Sequence, residues 1–170
     1  TIFSDNFEDG DLAGWSLSSD PGANDWTNSN TDPGEGLRHA QTQPLDTTNP
    51  ASVMERIVST SGYANIVFSY NRKLVGLDAA DEFQAKYNTG SGWVAVEQIS
   101  SVDDASYVYK TFSMPASANN NVNFQIKFEC TAGAVSEFCR VDNVTIVGDA
   151  IVSDTNPPNV TINLPTSINY

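Results

Sequence analysis

Basic residues are scarce in this sequence: eight lysines and arginines stand against 21 aspartates and glutamates, for a formal net charge of -13. Such a surface repels the phosphate backbone of nucleic acid and the anionic face of a membrane, so neither is an expected partner. Histidine is scarcer still. His39 is the only one, and no nucleophile stands near it in Leu37-Arg38-His39-Ala40. No Gly-x-Ser-x-Gly turn occurs, so no catalytic residue is assigned. Long apolar runs are missing as well, which argues against membrane insertion by a helix. There are two cysteines, Cys130 and Cys139, separated by mostly small residues. Too few further ligands lie nearby for a metal site, so the pair is expected to form a disulfide closing one hairpin or loop, in an oxidising compartment.

What the chain does have is the composition of a folded β-protein. Its 170 residues suffice for one domain, 39% of them are hydrophobic, and Phe and Tyr outnumber Met. From Ala51 onward, short β-type runs are separated by turn residues, and no helical period is found. The runs are Val53 to Ser59, Ala64 to Val75, Glu82 to Tyr87, Trp93 to Ser100, Tyr107 to Met114, Val122 to Cys130 and Cys139 to Val147. Within them the alternation is that of half-buried strands: Val122, Phe124, Ile126 and Phe128 oppose Asn123, Gln125, Lys127 and Glu129. Many such strands at short spacing predict an all-β fold, a two-sheet antiparallel sandwich of jelly-roll type.

The ends differ from the middle. Before Ala51 the sequence is rich in Asp, Asn, Gly, Ser and Pro around Phe7, Trp15 and Trp26. A first strand over Ile2 to Glu8 followed by long ordered loops is expected there. At the other end, residues 1–149 are expected to form the sandwich and 150–158 a linker. Residues 159–170 then begin a further domain of the same polypeptide, or supply a strand for assembly with another subunit.

Three stretches, in this order and spacing, carry a family resemblance: Asp5-Asn6-Phe7-Glu8-Asp9-Gly10 with Trp15 soon after, the Asp25-Trp26 pair, and Arg140-Val141-Asp142-Asn143-Val144-Thr145-Ile146. Together they resemble the MAM-like, cleaved-adhesin-like and carbohydrate-binding-module-like jelly-roll accessory domains of secreted proteins. The resemblance covers about Ile2 to Val147, and the chain lacks the several cysteines of true MAM domains. It implies that the first and last strands lie side by side and that Glu8, Asp25 and Asp142 hold a structural calcium ion.

The residues themselves add to this. A hard cation needs several converging oxygens, and Asp5 and Asp9 join Glu8 and Asp25 as acids of the leading segment. Strict alternation would place Asp142 on the apolar face with Val144 and Ile146, where a carboxylate needs a partner. For ligand binding, the outward residues Lys73, Gln84, Lys86, Gln125 and Lys127, with Trp93 as an aromatic platform, suit a hydroxyl-rich or acidic glycan, such as a cell-surface polysaccharide. The reading is therefore a secreted or cell-surface, non-catalytic, calcium-stabilised module that binds carbohydrate. Two alternatives stand beside it: a structural or adhesive filament subunit assembling through its C-terminal strand, and a small secreted hydrolase.

Overall fold

The computed structural model describes residues 1–152. Of the expected linker 150–158, residues 153–158 lie outside them, as does the tail 159–170; Ala150 is the last residue of the final strand. Eleven strands and one 3-10 turn form two antiparallel sheets: β1 (Phe3–Asp5), β2 (Ser16–Ser19), β3 (Thr27–Ser29), β4 (His39–Thr42), β5 (Ser52–Ile57), β6 (Tyr63–Val75), β7 (Glu82–Asn88), β8 (Trp93–Ile99), β9 (Val108–Ser113), β10 (Gln125–Thr131) and β11 (Phe138–Ala150). The first sheet has the order β3-β4-β11-β6-β9, with β1 also paired to β11; the second has the order β2-β5-β10-β7-β8. The predicted sandwich is present, and its first and last strands do lie side by side, Phe3 opposite Ile146 and Asp5 opposite Val144.

The core follows from the alternation. Phe68 and Tyr70 of the first sheet meet Met54, Phe83, Ile126 and Phe128 of the second, all fully buried. Phe128 is the hub, with Tyr70 edge-on at 5.0 Å between ring centroids and Phe68, Phe83, Trp15 and Trp26 between 5.8 and 6.4 Å. Trp15 and Trp26 therefore act as plugs that anchor the polar leading segment to the core. Side chains of this size each stabilise the fold by roughly 1.5 to 3 kcal/mol when fully buried.

One buried polar cluster interrupts the apolar layer. Arg72 is almost fully buried and pairs with Glu97 at 2.9 Å and with Asp104. Glu97 also receives Lys110 Nζ at 2.8 Å and the Tyr70 hydroxyl at 2.7 Å. Burial pushes the Glu97 carboxyl up, but Lys110, Tyr70 and Arg72 outweigh it and hold its pKa below the ordinary value.

The cysteines are paired, Cys130 to Cys139, with Cα atoms 6.2 Å apart. The disulfide expected to close one hairpin or loop is present, and it closes the loop between β10 and β11 rather than a hairpin. Cys130 lies in β10 and Cys139 in β11, in different sheets, so the bond ties the two layers of the sandwich together at the connection between them.

A correction concerns Asp142. Asn143 has a φ of 49°, and the pairing of β11 with β6 shifts register between Asp142 and Thr145. This bulge resets the side-chain parity. Val141, Val144 and Ile146 all enter the core, while Asp142 pairs with Asn71 and Thr145 with Ser69 on the outer face of the first sheet. Asp142 is fully buried all the same, because a loop covers it.

Candidate functional site

Two arrangements collect the chemistry-bearing residues, one on the outer face of each sheet. On the first sheet, the segment 30–38 lies as a strap across β4, β11 and β6. Asp32 near its start binds Lys73 Nζ at 2.8 Å and the Arg140 guanidinium, and these cations hold the Asp32 carboxyl below its usual range against a lesser effect of burial. Gly34 packs so closely on the Tyr107 ring that a Cβ would come within 2.8 Å of it. At Gly36, with φ 65°, a Cβ would stand 2.3 Å from Glu8 Oε1. Glycine at both positions lets the strap sit flat.

Beneath the strap lies His39, which begins β4 as a fully buried structural residue, its ring edge-on to Tyr107. Burial pushes its pKa down, so the neutral imidazole is the favoured form.

At the far end of the strap, carboxylates gather. Glu8 Oε1 accepts the backbone N–H groups of Leu37 and Arg38, each at 2.8 Å. Asp142 Oδ2 accepts the N–H of Glu35 at 3.1 Å, and Oδ1 that of Asn143 at 2.8 Å. Glu35 Oε2 accepts the Asn143 side-chain amide at 2.7 Å. Asn6, Glu8, Glu35, Gly36 and Asn143 line a cleft of about 210 Å³. Burial raises the Asp142 pKa; the backbone donors oppose this, and the nearby charge of Glu8 adds to it. Glu8 Oε2 and Glu35 Oε1 accept no hydrogen bond among the described residues, but the oxygens of Glu8, Glu35 and Asp142 do not come within 4.8 Å of one another as a group.

The remaining acids named from the sequence are placed elsewhere. Asp5 Oδ1 accepts the Phe7 N–H and Oδ2 the Trp15 indole N–H at 2.8 Å, so it fastens the leading segment to the core. Asp9 accepts the Asp11 N–H in an exposed turn. Asp25 is exposed, four positions before Ser29, and Ser29 pairs with His39 at the strap end of β4. Glu35, not named from the sequence, lies beside Asp142 and Asn143, and the N–H groups of Leu37 and Arg38 just after it go to Glu8. A separate group, Asp78, Asp81 and Glu137, has its carboxylate oxygens within 4.8 Å of one another. Its buried members accept backbone N–H groups, Asp81 those of Asp78 and Gly133 and Glu137 that of Ala134.

The second sheet presents the other arrangement. Strand register aligns Trp93, Asn88, Gln125 and Ile57 in one row across its outer face. The next row is Ala95, Lys86, Lys127, Glu55 and Ser16, followed by Gln98, Gln84, Glu129, Val53 and Ser18. Five of the six ligand residues named from the sequence, Gln84, Lys86, Trp93, Gln125 and Lys127, therefore share this face. Lys73 does not: it belongs to β6 of the other sheet and is occupied by Asp32.

Glu129, only 3% exposed, sits at the centre of the face. Its Oε2 binds Lys86 Nζ at 2.5 Å and its Oε1 binds Lys127, whose ammonium lies 4.3 Å from the centre of the Trp93 ring. Glu82 gathers the side-chain amides of Asn49, Gln84 and Gln98; these, with Lys86, outweigh the effect of burial and lower its pKa. Beside Trp93, a cleft of about 60 Å³ is lined by Ser16, Glu55, Arg56, Ile57 and Gln125. Ile57 is 63% exposed. An indole, an exposed aliphatic side chain, an amide, a hydroxyl and a carboxylate within one shallow depression can combine apolar stacking with directed hydrogen bonds.

No protein-family model matches the sequence. Nor does any curated protein. Solved structures do match in fold. TmCBM61, solved in complex with β-1,4-galactotriose, is 11% identical with a TM-score of 0.63, over 85% of this chain and 94% of that one. The K3 cleaved adhesin domain of Lys-gingipain from Porphyromonas gingivalis is 13% identical with a TM-score of 0.63, over 86% and 98%. The CBM22-1 xylan-binding domain of Paenibacillus barcinonensis Xyn10C is 16% identical with a TM-score of 0.57, over 89% and 96%. The fold is thus shared with carbohydrate-binding modules and cleaved adhesin domains, as the sequence resemblance implies.

Proposed function

We propose that this chain is a non-catalytic accessory module of a larger secreted or surface protein, and that the outer face of its second sheet binds carbohydrate. The observation that carries this reading is the gathering of Gln84, Lys86, Trp93, Gln125 and Lys127 on that one face, with a cleft beside the indole. Sugars offer an apolar C–H face and a rim of hydroxyls, and stacking on an aromatic ring combined with amide and carboxylate hydrogen bonds meets both needs. The fold supports the same class: two structures similar to this chain are named for a bound galactotriose and for xylan binding. That similar structures are binding and adhesin domains supports a non-catalytic role.

The test is affinity electrophoresis in native gels containing soluble xylan or β-1,4-galactan. Retardation by one of them is the expected result. Trp93→Ala should weaken it about tenfold, the effect of losing one stacking partner. A chain that runs unretarded in both gels, and fails to bind any other polysaccharide, would refute the assignment.

The same module is proposed to carry a structural calcium ion, held by Glu8 and Asp142 with Glu35. The support is that residues remote in sequence bring like charges to one strap, with one carboxylate fully buried. An ion there would neutralise the acids and fasten the segment 30–38 to the last strand.

A further inference from the structure

We propose that Glu129 sets the ligand class of the carbohydrate face: by holding both lysines of that face it leaves the site without a free cation, so the glycan bound is uncharged rather than uronate-bearing or sulfated. This rests on the carbohydrate-binding reading of the same face.

Recognition of an anionic sugar requires a cationic group free to meet it. Of the eight basic side chains in the sequence, seven are in ion pairs: Arg56, Arg72, Lys73, Lys86, Lys110, Lys127 and Arg140. The eighth, Arg38, donates to Asn28 at the end of the molecule where Glu8 lies. On the carbohydrate face, the only outward cations are Lys86 and Lys127. Both oxygens of Glu129 are used by them, one each. Arg56 borders the cleft, but its guanidinium is engaged, 4.5 Å over the Phe3 ring and donating to the Ala13 carbonyl. Glu55 and Glu82 add two further carboxylates, so the face carries a net negative charge. An acidic polysaccharide would meet repulsion there, whereas a neutral sugar meets acceptors for its hydroxyls.

Glu129 is a positioning residue in this scheme, since it acts through its neighbours. It is nearly buried, and it points outward from the centre of the sheet between the two ammonium groups. Fixing Lys127 also holds a cation over the Trp93 ring. Replacing Glu129 with Gln keeps the shape and releases both ammonium groups to solvent.

The experiment measures binding of the whole chain and of Glu129→Gln to neutral xylan and β-1,4-galactan, and to polygalacturonate and dextran sulfate, at two salt concentrations. The wild type is expected to bind a neutral polymer with little salt dependence and neither acidic polymer. Glu129→Gln, with an unchanged circular dichroism spectrum, is expected to gain binding to an acidic polymer of about tenfold, lost again at high salt. A folded variant without that gain would overturn the role of Glu129. Salt-sensitive binding of the wild type to an acidic polymer would overturn the inference while leaving the face a carbohydrate site, and this comparison decides the matter even if the variant does not fold. Absence of binding to all four polymers would remove the inference together with the reading it rests on.

Discussion

Withdrawal of divalent cations is the perturbation to which the fold should respond most. Glu8 and Asp142 each accept backbone N–H groups of the strap 30–38, which also carries Glu35, and Asp142 is fully buried. An ion bound there but not by the unfolded chain stabilises the native state by about 2.7 kcal/mol when its concentration is 100 times its dissociation constant. For a domain of this size, each kcal/mol moves the melting temperature by roughly 2 to 4 °C. Adding calcium to chelator-treated protein should therefore raise the melting temperature by roughly 5 to 10 °C, measured by scanning calorimetry. Asp142→Asn should abolish the difference between the two conditions, whatever its own baseline. Asp81→Asn, in the other acidic group, should leave that difference in place. Identical melting curves with chelator and with calcium would refute the cation centre. A calcium response that survives in Asp142→Asn but vanishes in Asp81→Asn would move the ion to the other group.

Two further outcomes follow from the interior. Because Glu97 has a pKa held below its ordinary 4.5, its ion pairs contribute stability that is present in full above that value and is lost as pH falls through the lowered native value. Urea unfolding at a series of acidic pH values should show this loss, and Glu97→Gln should flatten it; an unchanged acid limb would contradict the buried network. Separating the sheets covalently, by replacing Cys130 and Cys139 with Ala, should cost about 2 to 3 kcal/mol for so short a closed loop. A urea midpoint within error of the parent would refute that value.

The strands from β5 to β11 were readable in the sequence because each buries one side, and burial writes itself as alternation. Tyr63–Val75 and Gln125–Thr131 are examples, with Phe68, Tyr70, Ile126 and Phe128 entering the core. The short strands β2, β3 and β4 were not readable: Ser16–Ser19 is exposed throughout, and Thr27–Ser29 and His39–Thr42 are polar and only three or four residues long. Their pairing is determined by the neighbours they join rather than by any period of their own. Parity along a strand also reports only which residues share a side, never which sheet the strand enters, and this is why Lys73 was grouped with Lys86 and Lys127 although it lies across the sandwich.

Part of the carboxylate grouping at the strap was readable. Glu8 and Asp142 could be named from the resemblance, but Asn143 adopts a left-handed conformation that a sequence does not declare, and that single residue moves Asp142 to the opposite side of β11 from the one alternation assigns. Glu35 was missed because an acid in a stretch of Asp, Pro and Gly carries no periodic signal. The nearest signal was Gly34 and Gly36 on either side of it, where the backbone must approach other groups too closely for a side chain.

Those two glycines bear on any attempt to re-engineer the scaffold. Surface segments rich in polar residues are the usual choice for randomised libraries, yet in this molecule the segment 30–38 has no room for new side chains at its contacts with Tyr107 and Glu8. Exposed strand positions such as Ile57, 63% exposed on a strand held by its neighbours, leave more room for new side chains. Diversity is best introduced at such exposed strand positions, with the loop left untouched.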